Sequence, residues 1–90
     1  MTTGPEILVY TKSVCGYCMA AKNLLRGKGV AFREINVGDN PAELARMVQK
    51  SGRRTVPQIF IGEHHIGGYE DLAALDSQGK LDPLLAESRG

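Results

Sequence analysis

No stretch of this chain stays apolar for the ~20 residues that a membrane-spanning helix needs, so no bilayer span is expected. Neither sign of charge dominates, since eleven Lys and Arg face ten Asp and Glu, a formal net charge of +1. That balance gives no general pull toward nucleic acid or a lipid surface, so neither partner is expected and any anion site must be local. Cysteine is scarce. Only two occur, both in Cys15-Gly16-Tyr17-Cys18, whereas a secreted disulfide scaffold needs more of them, spread more widely. The residues from Met1 to Glu6 offer neither the basic nor the apolar segment of an export signal. A soluble, cytoplasmic protein is the expectation. The length of 90 residues suits one domain, 1–90, and 42% hydrophobic against 23% charged residues makes it globular rather than disordered.

What is present falls into a clear order. Residues 7–10, Ile-Leu-Val-Tyr, are apolar on both faces, as in a strand buried on both sides. From Cys15 onward, Cys18, Ala21, Leu24, Leu25 and Lys28 mark one helical stripe, and Gly29 stops it. Residues 31–37 read as a second strand nearer an edge. Asn40-Pro41-Ala42-Glu43 then supplies a helix start, with Asn as the cap, Pro at the first position and Glu three after the cap. Leu44, Met47 and Val48 give that helix its apolar face, and Ser51-Gly52 ends it. Residues 56–61 and 64–66 predict two short strands joined through Gly62-Glu63, a pair suited to a two-residue hairpin turn. Leu72 and Leu75 mark a third helix, and Leu81, Leu84 and Leu85 a fourth. A helical crossover makes its strands parallel and a hairpin makes its strands antiparallel, so the sheet is mixed and four-stranded. The order β-α-β-α-β-β-α-α, with helices on both faces, is an α/β, thioredoxin-like arrangement.

The two cysteines stand where the first strand hands over to the first helix. At that spacing the thiols share one helix face, within disulfide reach. Cys15 then meets the positive end of the helix dipole and its unpaired N–H groups, with Lys12 nearby, and these favour its thiolate. Cys18, one turn in, is expected to stay a shielded thiol. A low-pKa thiol gains little as an attacking group, because a larger thiolate fraction is offset by weaker nucleophilicity, but it leaves a mixed disulfide faster. The motif therefore suits thiol–disulfide exchange with turnover.

Two further segments fit that chemistry. Pro57, in Thr55-Val56-Pro57, interrupts an apolar run, and a proline gives a sheet no ladder donor. A cis bond there would stop strand pairing short and leave the Val56 backbone for an extended thiol substrate. The bland alternative is an edge-strand proline. Gly67-Gly68-Tyr69-Glu70-Asp71 lets backbone approach a ligand, and N–H groups at a helix start can hold a carboxylate. Alone, that pattern is common in plain turns.

Taken together, Tyr10-Thr11-Lys12, Cys15-x-Tyr17-Cys18, the stretch from Ser51-Gly52-Arg53 through Thr55-Val56-Pro57-Gln58 to Ile61, and Ile66-Gly67-Gly68-x-x-Asp71-Leu72 resemble the glutaredoxins, of the bacterial dithiol type. The resemblance covers nearly the whole chain. It implies a glutathione-dependent thiol–disulfide oxidoreductase that reduces protein disulfides and glutathione mixed disulfides. Cys15 would be the nucleophile and the point of glutathione attachment, and Cys18 the resolving thiol. Lys12 and Tyr17 would flank the tripeptide, with Thr55 beside them and Val56 pairing with its cysteinyl backbone next to cis Pro57. Gly68 and Tyr69 would allow close approach, and the Glu70 and Asp71 N–H groups would receive the γ-glutamyl carboxylate. Glutathione would be reductant and substrate, its partners being proteins with disulfides or glutathionylated cysteines. No metal is required on this reading, and a monomer is expected.

Two positions depart from the family pattern. Gly16 stands where dithiol members commonly carry Pro, and some relatives without that Pro hold a [2Fe–2S] cluster between two subunits through the first Cys and glutathione. A glutathione-assisted cluster carrier, dimeric when loaded and using Cys15, is thus the alternative. Leu44 stands where relatives often place a polar or basic contact to the glycine carboxylate, leaving Arg53 or Gln49 as substitutes. Direct use of a flavoprotein reductase ranks lower, because the chain has no Trp and thioredoxins carry Trp-Cys-Gly-Pro-Cys. His64-His65 read as hairpin-surface residues, since neighbours on a strand point to opposite faces. The cysteines make only half of a four-ligand zinc site.

Overall fold

Ile7–Thr11 carry no charge and form strand β1, which takes a partner on each edge. It pairs in parallel with β2 (Arg33–Asn36) and antiparallel with β3 (Gln58–Ile61), and β3 pairs antiparallel with β4 (His64–Gly67). The sheet order is β2-β1-β3-β4, the mixed four-stranded sheet expected. The structure, a computed structural model, describes residues 6–87. The stretch 1–5 read above for an export signal, and both limits of the 1–90 domain, lie outside the described residues.

Alternation along the strands divides the core in two. Ile7, Val9, Ile59 and Ile61 point to one face. There they cluster with Ala21 and Leu25 of α1 (Gly16–Gly27), Leu72 of α3 (Tyr69–Ser77), and Leu81 and Leu85 of α4 (Leu81–Glu87). Tyr10 and Phe60 point to the other face, where α2 (Pro41–Ser51) brings Met47, with Leu44 and Val48 packed around it. Helices therefore cover both faces. The ends of α2 follow their residues: Asn40 Oδ1 accepts from the Glu43 N–H at 3.2 Å, and Gly52 takes the left-handed φ of 74° that closes the helix.

Two strands are shorter than their apolar runs. Phe32 and Val37 flank β2, but they pack into opposite clusters instead of extending the ladder, although the Val37 N–H still reaches Thr11 O at 2.8 Å. β3 begins at Gln58, not at Val56, because Pro57 has no N–H to give the ladder. The Val56–Pro57 peptide is cis.

Strand direction sets where the loops meet. Tyr10 lies opposite Gln58, and Ile59 opposite Gly67. The segment after β1, the segment before β3 and the segment after β4 thus emerge at the same end of the sheet.

Candidate active site

Cys15 is the N-cap of α1, extended at φ −138° and ψ 110°, and its Sγ accepts the Cys18 N–H at 3.2 Å. The sulfur occupies the place that a Ser or Asp oxygen takes at an ordinary helix start. No acidic residue in the first turn opposes the positive helix end. Val14, just ahead, adopts a left-handed φ of 53° and is bare to solvent. Cys15 is part-exposed, whereas Cys18 is 2% exposed, and both are free thiols. Burial, and then its hydrogen bond with Cys15, push the Cys18 thiol up to about 11. The charge of Lys22 and the Lys12 backbone work in the other direction. An accessible sulfur at a helix start with a protonated one behind it is an arrangement able to carry out thiol–disulfide exchange.

Lys22 is itself committed elsewhere. Its Nζ lies 3.0 Å from Glu34 Oε2 on β2, an oxygen that also accepts from buried Thr11 Oγ1 at 2.7 Å. The Thr11 hydroxyl, with Lys22 after it, holds the Glu34 carboxyl below its ordinary value.

Beside α1 lies a cleft of about 260 Å³. Tyr17 of α1 faces Tyr69 of α3 across 6.3 Å between ring centroids. One wall is Arg53, Thr55, Val56 and Pro57, ahead of β3, and the other is Gly68 through Asp71 at the start of α3. Eight of the residues expected to hold glutathione (Tyr17, Thr55, Val56, Pro57, Gly68, Tyr69, Glu70 and Asp71) line this one cleft. Lys12 does not. It is exposed in the loop after β1, and neither it nor the two cysteines belong to the lining.

Asp71 does more than was read from the sequence. Its Oδ2 accepts the Gly68 N–H at 2.9 Å and faces Arg53 Nη1 at 3.2 Å. Only half of a capping box forms, because Gly68 has no side chain to return the bond. The Gly68 N–H first, and Arg53 after it, keep the Asp71 carboxyl below its ordinary value. Gly67, at φ 116°, lies so close that a Cβ would collide with that carboxylate. Of the two substitutes for the polar contact missing at Leu44, Arg53 reaches the cleft, while Gln49 lines a separate hollow with Leu44 and Arg54.

His65 is exposed on β4, as expected of the hairpin, but its ring is engaged. Nε2 lies 2.8 Å from Gln58 Oε1, and the ring stacks on Phe60 at 4.8 Å. Burial, and then the nearby Arg53, lower its pKa. No group of three His, Cys, Asp or Glu able to hold a metal ion occurs among the described residues. Gln58 was read only as part of a motif, although a polar residue inside the run 56–61 was the signal available.

Comparison with known proteins agrees with this geometry. The glutaredoxin family model matches residues 7–66. Glutaredoxin 3 of Escherichia coli K12 is 56% identical over 80 residues, 89% of this chain and 96% of that protein. Among solved structures, a buckwheat glutaredoxin–glutathione complex superposes with a TM-score of 0.85 at 37% identity, covering 97% of this chain and 81% of that one. Glutaredoxin from Brucella melitensis gives 0.81 at 48% identity, covering 92% and 90%. With a reduced Cys-x-x-Cys at the head of α1 and relatives of this closeness, the chain belongs to the glutaredoxin family of thiol–disulfide oxidoreductases.

Proposed function

We propose that the protein uses glutathione to reduce glutathione mixed disulfides and protein disulfides. The observation that carries this reading is the cleft itself, in which eight residues from three separate segments line one hollow beside the Cys15 helix start. The buckwheat neighbour was solved with glutathione bound, which supports the same ligand here. The tripeptide carries two carboxylates. Its γ-glutamyl end suits the N-terminus of α3, whose first turn carries the Glu70 and Asp71 N–H groups and beside which Arg53 adds a cation. Lys12 is left to the approach of the ligand from outside the cleft.

In the monothiol route, the Cys15 thiolate attacks the glutathionyl sulfur of a mixed disulfide. The Cys15–glutathione bond forms as the protein–glutathione bond breaks, and the leaving thiolate takes a proton. A second glutathione thiolate attacks the glutathionyl sulfur, giving glutathione disulfide and free Cys15. For a protein disulfide, Cys15 attacks first. Cys18 then loses its proton and displaces the target from Cys15, closing an internal disulfide that two glutathiones reduce.

The test is the Cys18→Ser variant, assayed with a small glutathione mixed disulfide and with a protein disulfide. The first activity should persist while most of the second is lost. Equal loss of both removes the assigned roles, and Cys15→Ser should abolish both.

The cluster-carrier alternative rests on Gly16, which follows Cys15 as the first residue of α1, with nothing within 4 Å of a Cβ placed there. Anaerobic purification with glutathione tests it, and a colourless monomer counts against it.

A further inference from the structure

Gln58 is a polar side chain with no exposed surface, and each polar atom of its amide has a partner. Nε2 donates to Thr55 O at 3.0 Å and to Thr55 Oγ1 at 3.2 Å. Oε1 lies 2.8 Å from His65 Nε2. The orientation of the amide follows from its partners. A carbonyl oxygen only accepts, so the atom facing Thr55 O must be the NH2 group and the other must be the oxygen. His65 Nε2 therefore carries a hydrogen and donates, and protonating the ring leaves this bond in place.

A leucine would fill the same volume without burying an amide, and burying one costs free energy unless every group is paired. Here both donor hydrogens are spent on one loop residue. Thr55 is exposed, lies outside any strand and lines the cleft. At the other end of the amide, His65 is fixed by its stacking on Phe60, and its strand runs on into Gly67 and then Gly68, where the facing wall begins.

We propose that Gln58 is a positioning residue that sets how tightly the cleft holds glutathione, by tying Thr55 on one wall to His65 on the strand that leads to the other. It touches no reacting atom. The inference rests on the glutathione reading above and deepens it, because it names the side chain that holds the tripeptide wall at its working width.

The experiment compares wild type, Gln58→Glu and His65→Phe in steady state, with a small mixed disulfide of glutathione as the probe. Gln58→Glu keeps shape and the acceptor toward His65, but offers Thr55 no N–H. KM should rise at least about three- to tenfold, because both bonds to Thr55 are lost and a carboxylate oxygen then faces the Thr55 carbonyl oxygen, with kcat near that of wild type. His65→Phe keeps the ring contact with Phe60 and removes the donor to Gln58, so KM should rise in the same direction by less. A role confined to packing predicts a lower Tm with an unchanged KM. A folded Gln58→Glu with the wild-type KM overturns the proposal, and if that variant does not fold, a wild-type KM in His65→Phe overturns it equally. A wild-type protein that cannot turn over the probe overturns the glutathione reading and this inference with it. Active wild type beside unaffected variants overturns the inference alone.

Discussion

Arg53 Nη1 stands 3.2 Å from Asp71 Oδ2, so an ion pair joins the two walls of the cleft across eighteen residues of sequence. The same carboxylate oxygen takes the Gly68 N–H, so one acid both caps α3 and holds the cation in place.

That double use sets a pH dependence. The Asp71 carboxyl is held below its ordinary 3.8, by the Gly68 N–H first and Arg53 after it. A depressed folded value means that stability is present above 3.8 and is lost as pH falls through the lower folded value. Asp71→Asn should unfold more easily than wild type at neutral pH, by about 1 kcal/mol given the exposure of the pair. The difference should close in acid. Urea unfolding from neutral pH down to pH 2 checks it, and a gap that stays constant refutes the linkage.

Cys18 should react only at high pH. Cys18 is raised from an ordinary 9.0 to about 11, by burial first and Cys15 second. Mass spectrometry after brief treatment with iodoacetamide near neutral pH should find Cys15 labelled alone, with Cys18 joining only as pH approaches 11. The contribution of Cys18 to stability is constant below 9.0 and is lost as pH rises toward 11, because the unfolded chain gives up that proton first.

Gly16 does not need to be glycine. Nothing lies within 4 Å of a Cβ placed there, it is the first residue of α1, and Cys15 before it is already extended. Those are the requirements of a proline at the first helical position. Gly16→Pro should stabilise the protein by about 0.4–1 kcal/mol, mainly by restricting the unfolded chain, and should raise Tm by a few degrees. A lower Tm shows that the helix start is not preformed in this way.

Gly67 is the opposite case. Its φ of 116° and its closeness to the Asp71 carboxylate leave no room for a methyl group. Gly67→Ala should cost about 1–3 kcal/mol and loosen the start of α3, measured by urea unfolding and by weaker glutathione binding.

Much of this was legible in the residues. The uncharged run at Ile7 gave β1, and Asn40-Pro41 placed the start of α2 where it lies. The exchange chemistry expected of Cys15 and Cys18 was read from their spacing together with their place between a strand and a helix. Strand ends were harder to read, because apolar residues such as Phe32 and Val56 serve packing and the cleft as well as a ladder. Arg53 was read only as a substitute for the contact missing at Leu44, since nothing local says that Asp71 will meet it. Gln58 was hidden for a related reason. Its partners, Thr55 and His65, come together only when the hairpin closes, and a polar letter among Pro, Ile and Phe carries no sign of which neighbour it will satisfy.

The walls of the cleft are delivered by the ends of strands, and this gives the molecule an uneven tolerance to changes in length. An extra residue among 53–55 would alter the mouth of the hollow while leaving every rung between β1 and β3 intact. The same insertion inside β3 would turn Ile59 and Ile61 away from α1 and toward α2, exchanging the two interiors. Redesign for a bulkier thiol carrier therefore belongs in the connections, with the ladder left alone.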